Sequence, residues 1–265
     1  MREAEGWAAP AKKKKKARLS SAQLRERLLT TAVSMLTKSG GLTVSLAHLN
    51  MEDLIRIADV PRSSVYRVWE SKDSFYVDLM ERMIEPVEGQ GAAFDEETLE
   101  IAMAVVNAYR DRLCSADGRR AVLREAIRQG VAQNFKAVAR SLSWSTSSAL
   151  IATLPTLQQR DRQRVLGALK RTEAHFVERM ADFYGAMMGQ LGLRLKVGIT
   201  AEMLAATASS VVEGLIGRSV TNPGIVATPI IRPGIDGQPV EWHLAAVGFL
   251  GIVDEMVEPD PAWSP

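Results

Sequence analysis

Residues 59–73 read DVPRSSVYRVWESKD, and the polar members of this stretch fall at helical offsets. Arg62 and Tyr66 are four apart, as are Ser63 and Arg67, so on a helix they lie on one side, with Ser64 beside them. Val65, Val68 and Trp69 recur at i, i+3 and i+4 and are expected to face the core. Guanidinium groups suit guanine edges and phosphates, while a hydroxyl and a phenol can donate to phosphate oxygens. Lys72 falls in the first turn of the next helix, where backbone N–H groups also favour an anion. The chemistry suggested is the gripping of a polyanion. One short basic helix in isolation is more economically read as a solvated amphipathic face, so the reading depends on what surrounds it.

The surrounding elements supply that support. MEDLIRIA at 51–58 is a short helix, with Asn50 placed to cap it and Asp53 near its positive end. A break at 59–61 separates it from a second short helix at 61–69. Two short helices joined in this way are the sequence form of a helix-turn-helix, in which the first helix supports the second in a DNA major groove. Pro61 opens the second helix, which suits a first turn because its φ is preset and no N–H is needed there. It gives up a side-chain cap, for which Asp59 is the candidate substitute. Upstream, Leu24, Leu28, Ala32 and Leu36 recur every four residues from Ser20 onward, and SGG at 39–41 ends that helix. LTVSLAHL at 42–49 reads as a linker plus a turn. Downstream, Ser71 is the expected cap of a longer helix at 71–84, which Pro86, Gly89 and Gly91 weaken or end.

The remaining chain reads as helices at about 95–115, 118–139, 141–153, 156–191, 200–219 and 241–257. The segment 222–239, NPGIVATPIIRPGIDGQP, is too rich in Pro and Gly for a helix and is expected to be a long surface loop. No strand–helix alternation appears, which excludes an α/β fold. The expectation is therefore all-α: an N-terminal three-helix helix-turn-helix domain and a larger helical bundle for regulation and dimerisation. Its divisions are a disordered basic arm at 1–19, a DNA-binding domain at 20–72, a helical domain at 73–258 and a tail at 259–265.

The stretch MEDLIRIADVPRSSVYRVWESKDSFYVDLM resembles the DNA-binding domain of TetR-type (tetracycline-repressor-like) transcriptional regulators. Asn50 takes the family's cap position, which often contacts phosphate. Leu54-Ile55 replaces an Ile-Ala pair, Ala58-Asp59-Val60-Pro61 fills the Ala-Gly-Val-Ser turn, Tyr66 and Trp69 match the aromatic pair, and Ser71-Lys72 matches the Ser-Lys pair. The resemblance covers about residues 20–85 and implies that Lys72 and Tyr66 grip the DNA backbone. It departs from the pattern at Asp59 for glycine, at Pro61 for serine, and in a longer link from Gly41 to Asn50. The resemblance also implies a homodimer built by the two C-terminal helices and an effector cavity in the larger domain.

Charge agrees with an N-terminal polyanion site. Residues 1–72 hold 14 Lys and Arg against 7 Asp and Glu, whereas residues 73–265 hold 19 against 24. Lys12, Lys13, Lys14, Lys15 and Lys16 form a run that reads either as a solvated tail or as an arm following phosphates beside the reading helix. The single cysteine, Cys114, excludes an internal disulfide framework and is expected to be a small buried side chain. His48, His175 and His243 stand apart in sequence and read as structural or solvated, so no metal is expected. GAMMGQLG at 185–192 follows a helix rather than a strand and is no phosphate cradle. No enzyme signature, cofactor motif, signal peptide or spanning segment is evident, and a reducing cytoplasm is the expected compartment.

Aromatic and sulfur side chains gather at Phe135, Trp144, Phe176, Phe183, Tyr184, Met187 and Met188. Phe135, Trp144, Phe183 and Met187 are the candidates for the wall of a pocket taking an unknown small-molecule effector. MLAATASSVVEGLIG at 203–217 is rich in small residues and LAAVGFLGIV at 244–253 is apolar almost all round, which suits a helix–helix interface. The sequence thus points to a dimeric regulator, a repressor, that binds a palindromic operator on double-stranded DNA and is released by a small molecule. Two alternatives stay open: a ligand-independent architectural DNA-binding protein, and an all-helical enzyme or carrier whose basic helix pair is incidental.

Overall fold

The computed structural model describes residues 19–38, 49–84 and 95–263. The lysine run at 12–16, His48, the glycines at 39–41 and most of the 41–50 link lie outside the described residues, as do Pro86, Gly89 and Gly91. Eleven α-helices occur among the described residues, together with two small two-stranded ribbons. The fold is all-α.

The first four helices build one core. α1 (Ser21–Lys38) begins in a reciprocal capping box: Gln23 N–H donates to Ser20 Oγ at 3.1 Å and Ser20 N–H donates to Gln23 Oε1 at 2.9 Å. Its buried Leu24, Leu28, Ala32 and Leu36 form the stripe that the sequence pattern marked. α2 (Met51–Ala58) and α3 (Arg62–Val68) lay Leu54, Ile55, Ala58 and Val65 against it. α4 (Lys72–Ile84) starts at a cap in which Ser74 N–H donates to Ser71 Oγ at 3.1 Å. This helix belongs to two cores at once: Phe75 and Leu79 complete the N-terminal cluster, and Val77 and Ile84 pack with Val165, Ala168 and Leu169 of the larger body.

The larger body is assembled from α5 (Glu96–Ala108), α6 (Ala116–Ala139), α7 (Leu142–Thr153), α8 (Gln159–Leu191), α9 (Ala201–Thr221), α10 (Pro223–Ala227) and α11 (Leu244–Met256). Polar caps start most of them: Asp95, Ser115, Ser141 and Thr200 accept from the backbone N–H three residues on. α8 ends at Gly192, whose φ of 62° closes the helix in the left-handed conformation. A side chain there would also meet Trp263, whose ring lies 2.6 Å from the position a Cβ would take. Glu125, buried on α6, is held by the Arg128 guanidinium at 2.6 and 2.9 Å and by Gln129 at 2.6 Å. Arg128 in turn donates to the Glu241 carbonyl at 3.3 Å, tying α6 to the end of the chain.

Three expectations change. The segment 222–239 is not a loop throughout. Pro223 starts α10, where a missing N–H costs nothing, and β2 (Ile230–Pro233) then pairs antiparallel with β3 (Pro239–Trp242). Both prolines sit at the turn end of the ribbon, and Gly237, at φ 78°, makes the turn. Buried Trp242 and half-buried Ile230 and Val240 show the strand alternation that the proline content masked. The last helix accordingly begins at Leu244 rather than 241, capped by His243 Nδ1. Finally, the helix expected over 95–115 stops at Ala108 and passes into a 3₁₀ turn, Arg110–Cys114. That turn lifts Cys114 off the buried face, and the residue is exposed rather than buried.

β1 (Leu193–Leu195) pairs antiparallel with β4 (Val257–Pro259), joining the end of α8 to the end of α11. No helix among the described residues is long and apolar enough to cross a membrane.

Candidate nucleic-acid interface and cavity

The α2–α3 turn is built on one unusual residue. Asp59 adopts φ 50° and ψ 50° and is the non-glycine residue with positive φ among the described residues. A short polar side chain tolerates this region better than most, so Asp59 does the work of a turn glycine. The turn is closed by Asp59 N–H donating to Arg56 O at 3.2 Å and Val60 N–H donating to Ile55 O at 3.3 Å. Pro61 is extended (φ −67°, ψ 126°) and stands just ahead of α3 rather than within it; its carbonyl accepts from Ser64 and Val65. No side-chain cap hydrogen bond forms at this start. The Asp59 carboxylate instead faces Arg27 on α1, at 3.9 Å.

α3 is held from behind. Val65 and the following Trp69 are buried, and Val68 is half-buried. Trp69 meets Phe75 edge to face at 5.1 Å, and its Nε1–H donates to Asp78 Oδ2 at 2.6 Å. The outer side then presents Arg62, Ser63, Tyr66 and Arg67 to solvent, with Ser64 half-buried between the two sides. Asn50 and Lys72 are exposed as well, at the starts of α2 and α4. Asn50 caps α2 by accepting from Glu52 N–H at 2.9 Å.

The structure brings Arg62 and Tyr66 together through a residue that sequence reasoning missed. Glu52, in the first turn of α2, forms an ion pair with Arg62 at 2.9 Å and accepts from the Tyr66 hydroxyl at 3.5 Å. The Arg62 guanidinium also lies 5.6 Å from the Tyr66 ring centre. Arg67 and Lys72 have no ion-pair partner among the described residues and remain fully available cations. The available signal was that Glu52 follows the cap by two residues, which places it on the side of α2 that meets the start of α3.

A second missed residue connects this face to the rest of the molecule. Asp78 on α4 is buried, and four groups converge on it or beside it. Its Oδ2 accepts from Trp69 Nε1 and pairs with Arg25 of α1, and its Oδ1 accepts from Arg164 of α8 at 2.8 Å. Arg164 also reaches Glu81 at 2.5 Å. Burial works against the Arg164 charge, but these two carboxylates more than compensate and hold its pKa above the ordinary value. One carboxylate thus touches α1, the residue closing α3, and α8. An acid inside the apolar run FYVDLM was the sequence-level sign.

The larger body forms a partly open cavity of about 110 Å³ between α5, α6, α8, α9 and α11. Phe183 and Met187 line it, with Phe176, Tyr184 and Met188 from the same helix. Phe135 and Trp144, expected in the wall, do not. The Phe135 ring is occupied by His243, 4.3 Å away, and Trp144 is absorbed into the packed cluster around α6, α9 and α11. Burial raises the Tyr184 phenol well above its ordinary pKa, so it stays a neutral donor. His243 moves the other way, lowered by burial and then by Lys136, in keeping with a neutral ring acting as a helix cap.

Several solved structures match the chain over most of its length. Reduced NemR from E. coli matches at 14% identity, over 89% of this chain and 98% of that one, with a TM-score of 0.43. A TetR-family transcriptional regulator from Agrobacterium tumefaciens matches at 13% identity, over 89% and 96%, with a TM-score of 0.41. A complex of SmeT with triclosan matches at 13% identity, over 91% and 97%, with a TM-score of 0.40. No family model matches the sequence, and no curated protein does.

Proposed function

We propose that the protein is a DNA-binding transcriptional regulator, a repressor that binds a palindromic operator as a dimer and is released by a small molecule. The observation that carries this reading is the outer face of α3. Arg62, Ser63, Tyr66 and Arg67 stand exposed on a short helix whose opposite side is locked by Val65 and Trp69, with Asn50 and Lys72 flanking it at two helix N-termini. Such a face puts guanidinium groups at base edges, while hydroxyls and helix N-termini hold phosphates. The cavity supplies a place for an effector, and the Asp78 cluster supplies a rigid connection from α8 to α3. Two copies would present two such faces to successive major grooves, ~34–36 Å apart. In this reading the lysine run at 12–16 follows phosphates next to the reading helix.

The test is binding to genomic fragments across a salt series. A steep salt slope with a palindromic preference supports the reading, and a flat slope or no binding at low salt overturns it. Arg62→Ala and Arg67→Ala should each cost about 1–3 kcal/mol and relax sequence preference, while Lys72→Ala should weaken all sequences alike. An architectural protein would pass the salt test but keep its DNA in the presence of every small molecule that fills the cavity.

A further inference from the structure

The charge of the cavity wall is one-sided. Its ionisable members are Asp95, Tyr184 and Glu213, and no Lys, Arg or His lines it among the described residues. Asp95 is already committed: it caps α5, accepting from Thr98 N–H at 3.1 Å and from the Thr98 hydroxyl at 2.7 Å. Glu213, on α9, has no such role and no basic partner among the described residues. Burial, and then the nearby Glu173 carboxylate, push its pKa upward, and the Trp144 indole only partly offsets them. The Trp144 Nε1 itself is buried and completes no well-formed hydrogen bond, so Glu213 is not saturated from that side.

A half-buried carboxylate on an apolar wall is costly unless a partner neutralises it. No cationic partner for Glu213 stands among the described residues, which leaves that position open to a ligand. The remaining wall is aromatic and aliphatic, with Phe176, Met180, Phe183 and Phe249 facing the space. An apolar cavity of roughly 150 Å³ accepts benzene, so this partly open space of about 110 Å³ suits a ligand with one ring at most.

We propose that this cavity takes a small lipophilic monocation, an arylalkylammonium in chemical class, with its charge at Glu213 and its apolar body against the phenylalanines. The proposal rests on reading the cavity as the effector site. Anions are disfavoured by both carboxylates, and neutral compounds gain no ion pair.

The experiment titrates the full-length protein by calorimetry at neutral pH with three matched probes: 3-phenylpropylammonium, 3-phenylpropanol and 3-phenylpropionate. The ammonium compound should bind about tenfold or more tighter than the alcohol, as one charge-assisted contact implies, and the carboxylate should bind weakest. In Glu213→Gln that margin should vanish while alcohol binding stays the same. An alcohol or carboxylate that equals the ammonium compound in the wild-type protein overturns the proposal, with no variant required. So does a margin that survives in Glu213→Gln, or no binding by any probe. Each of these results leaves the DNA-binding reading intact if the salt-series experiment succeeds. Failure there overturns that reading whatever the probes show.

Discussion

Glu52 holds Arg62 at 2.9 Å, so an acid of α2 sits directly on the basic face of α3. DNA approaching that face meets a guanidinium already paired and a phenol already engaged. Glu52→Gln should therefore raise affinity for arbitrary duplex DNA by about tenfold at low salt and steepen the salt slope by about one unit, since one more cation reaches phosphate. The gap between specific and non-specific sites should narrow. Fluorescence anisotropy with one palindromic and one random duplex measures both effects; unchanged non-specific affinity would show that Glu52 exerts no such restraint.

Asp78 is the point where α1, α3 and α8 meet through one carboxylate. Asp78→Ala leaves the Trp69 indole N–H buried without an acceptor, deprives Arg25 of its partner and leaves Arg164 with Glu81 alone. Both arginines are partly exposed and can turn to water, so the cost should fall near or below the lower end of the usual range for a broken buried pair, about 2–3 kcal/mol. Urea unfolding followed by tryptophan fluorescence reads it. Arg164→Met is the more discriminating change: it should leave DNA affinity within about twofold but reduce the ability of a bound cavity ligand to alter that affinity.

The exposed side of α9 carries Met203, Ala206, Thr207, Ser210, Gly214 and Gly217, a narrow, nearly flat strip. A Cβ at Gly214 would meet nothing within 4 Å in the single chain. Gly214→Arg should thus be accommodated by the folded subunit and resisted by a second subunit packed there. The expected result is a monomer by analytical ultracentrifugation with an unaltered circular dichroism spectrum. A stable dimer in this variant would place the interface elsewhere.

Glu125 links stability to pH. Burial raises its pKa, but hydrogen bonds from Arg128 and Gln129, together with the Arg128 charge, outweigh that and leave it lowered. A lowered folded-state pKa means that the unfolded chain takes up the proton first. The resulting stability is present above the ordinary glutamate range and is lost as pH falls through the folded-state pKa. Glu125→Gln should flatten the decline in stability as pH falls below the ordinary glutamate range, measured by urea unfolding. An unchanged acid limb would assign that decline to other carboxylates.

The parts of the fold that the sequence disclosed are those governed by local periodicity. The Leu24–Leu36 stripe, the cap at Asn50 and the Ser71 cap all depend on residues within a few positions of one another. What stayed hidden depends on contacts across the chain. Pro233 and Pro239 read as loop residues until Ile230 is seen paired with Trp242. Cys114 reads as buried until α5 is seen to stop six residues earlier. Trp144 and Phe135 have the right chemistry for a cavity wall, yet neighbours on α9 and α11 claim them first. Glu52 and Asp78 were visible as acids, but only the crossing of helices shows which cations they serve.

The ribbon that joins Leu193–Leu195 to Val257–Pro259 sets an order of events during synthesis. Leu193 and Val257 both line the cavity, so its wall cannot be complete until the ribosome has passed residue 257. The core of the first four helices is finished by Leu79. At roughly 5–20 residues per second the interval between the two is on the order of ten seconds or more. For that time a nascent chain carries a finished first core with no finished cavity behind it.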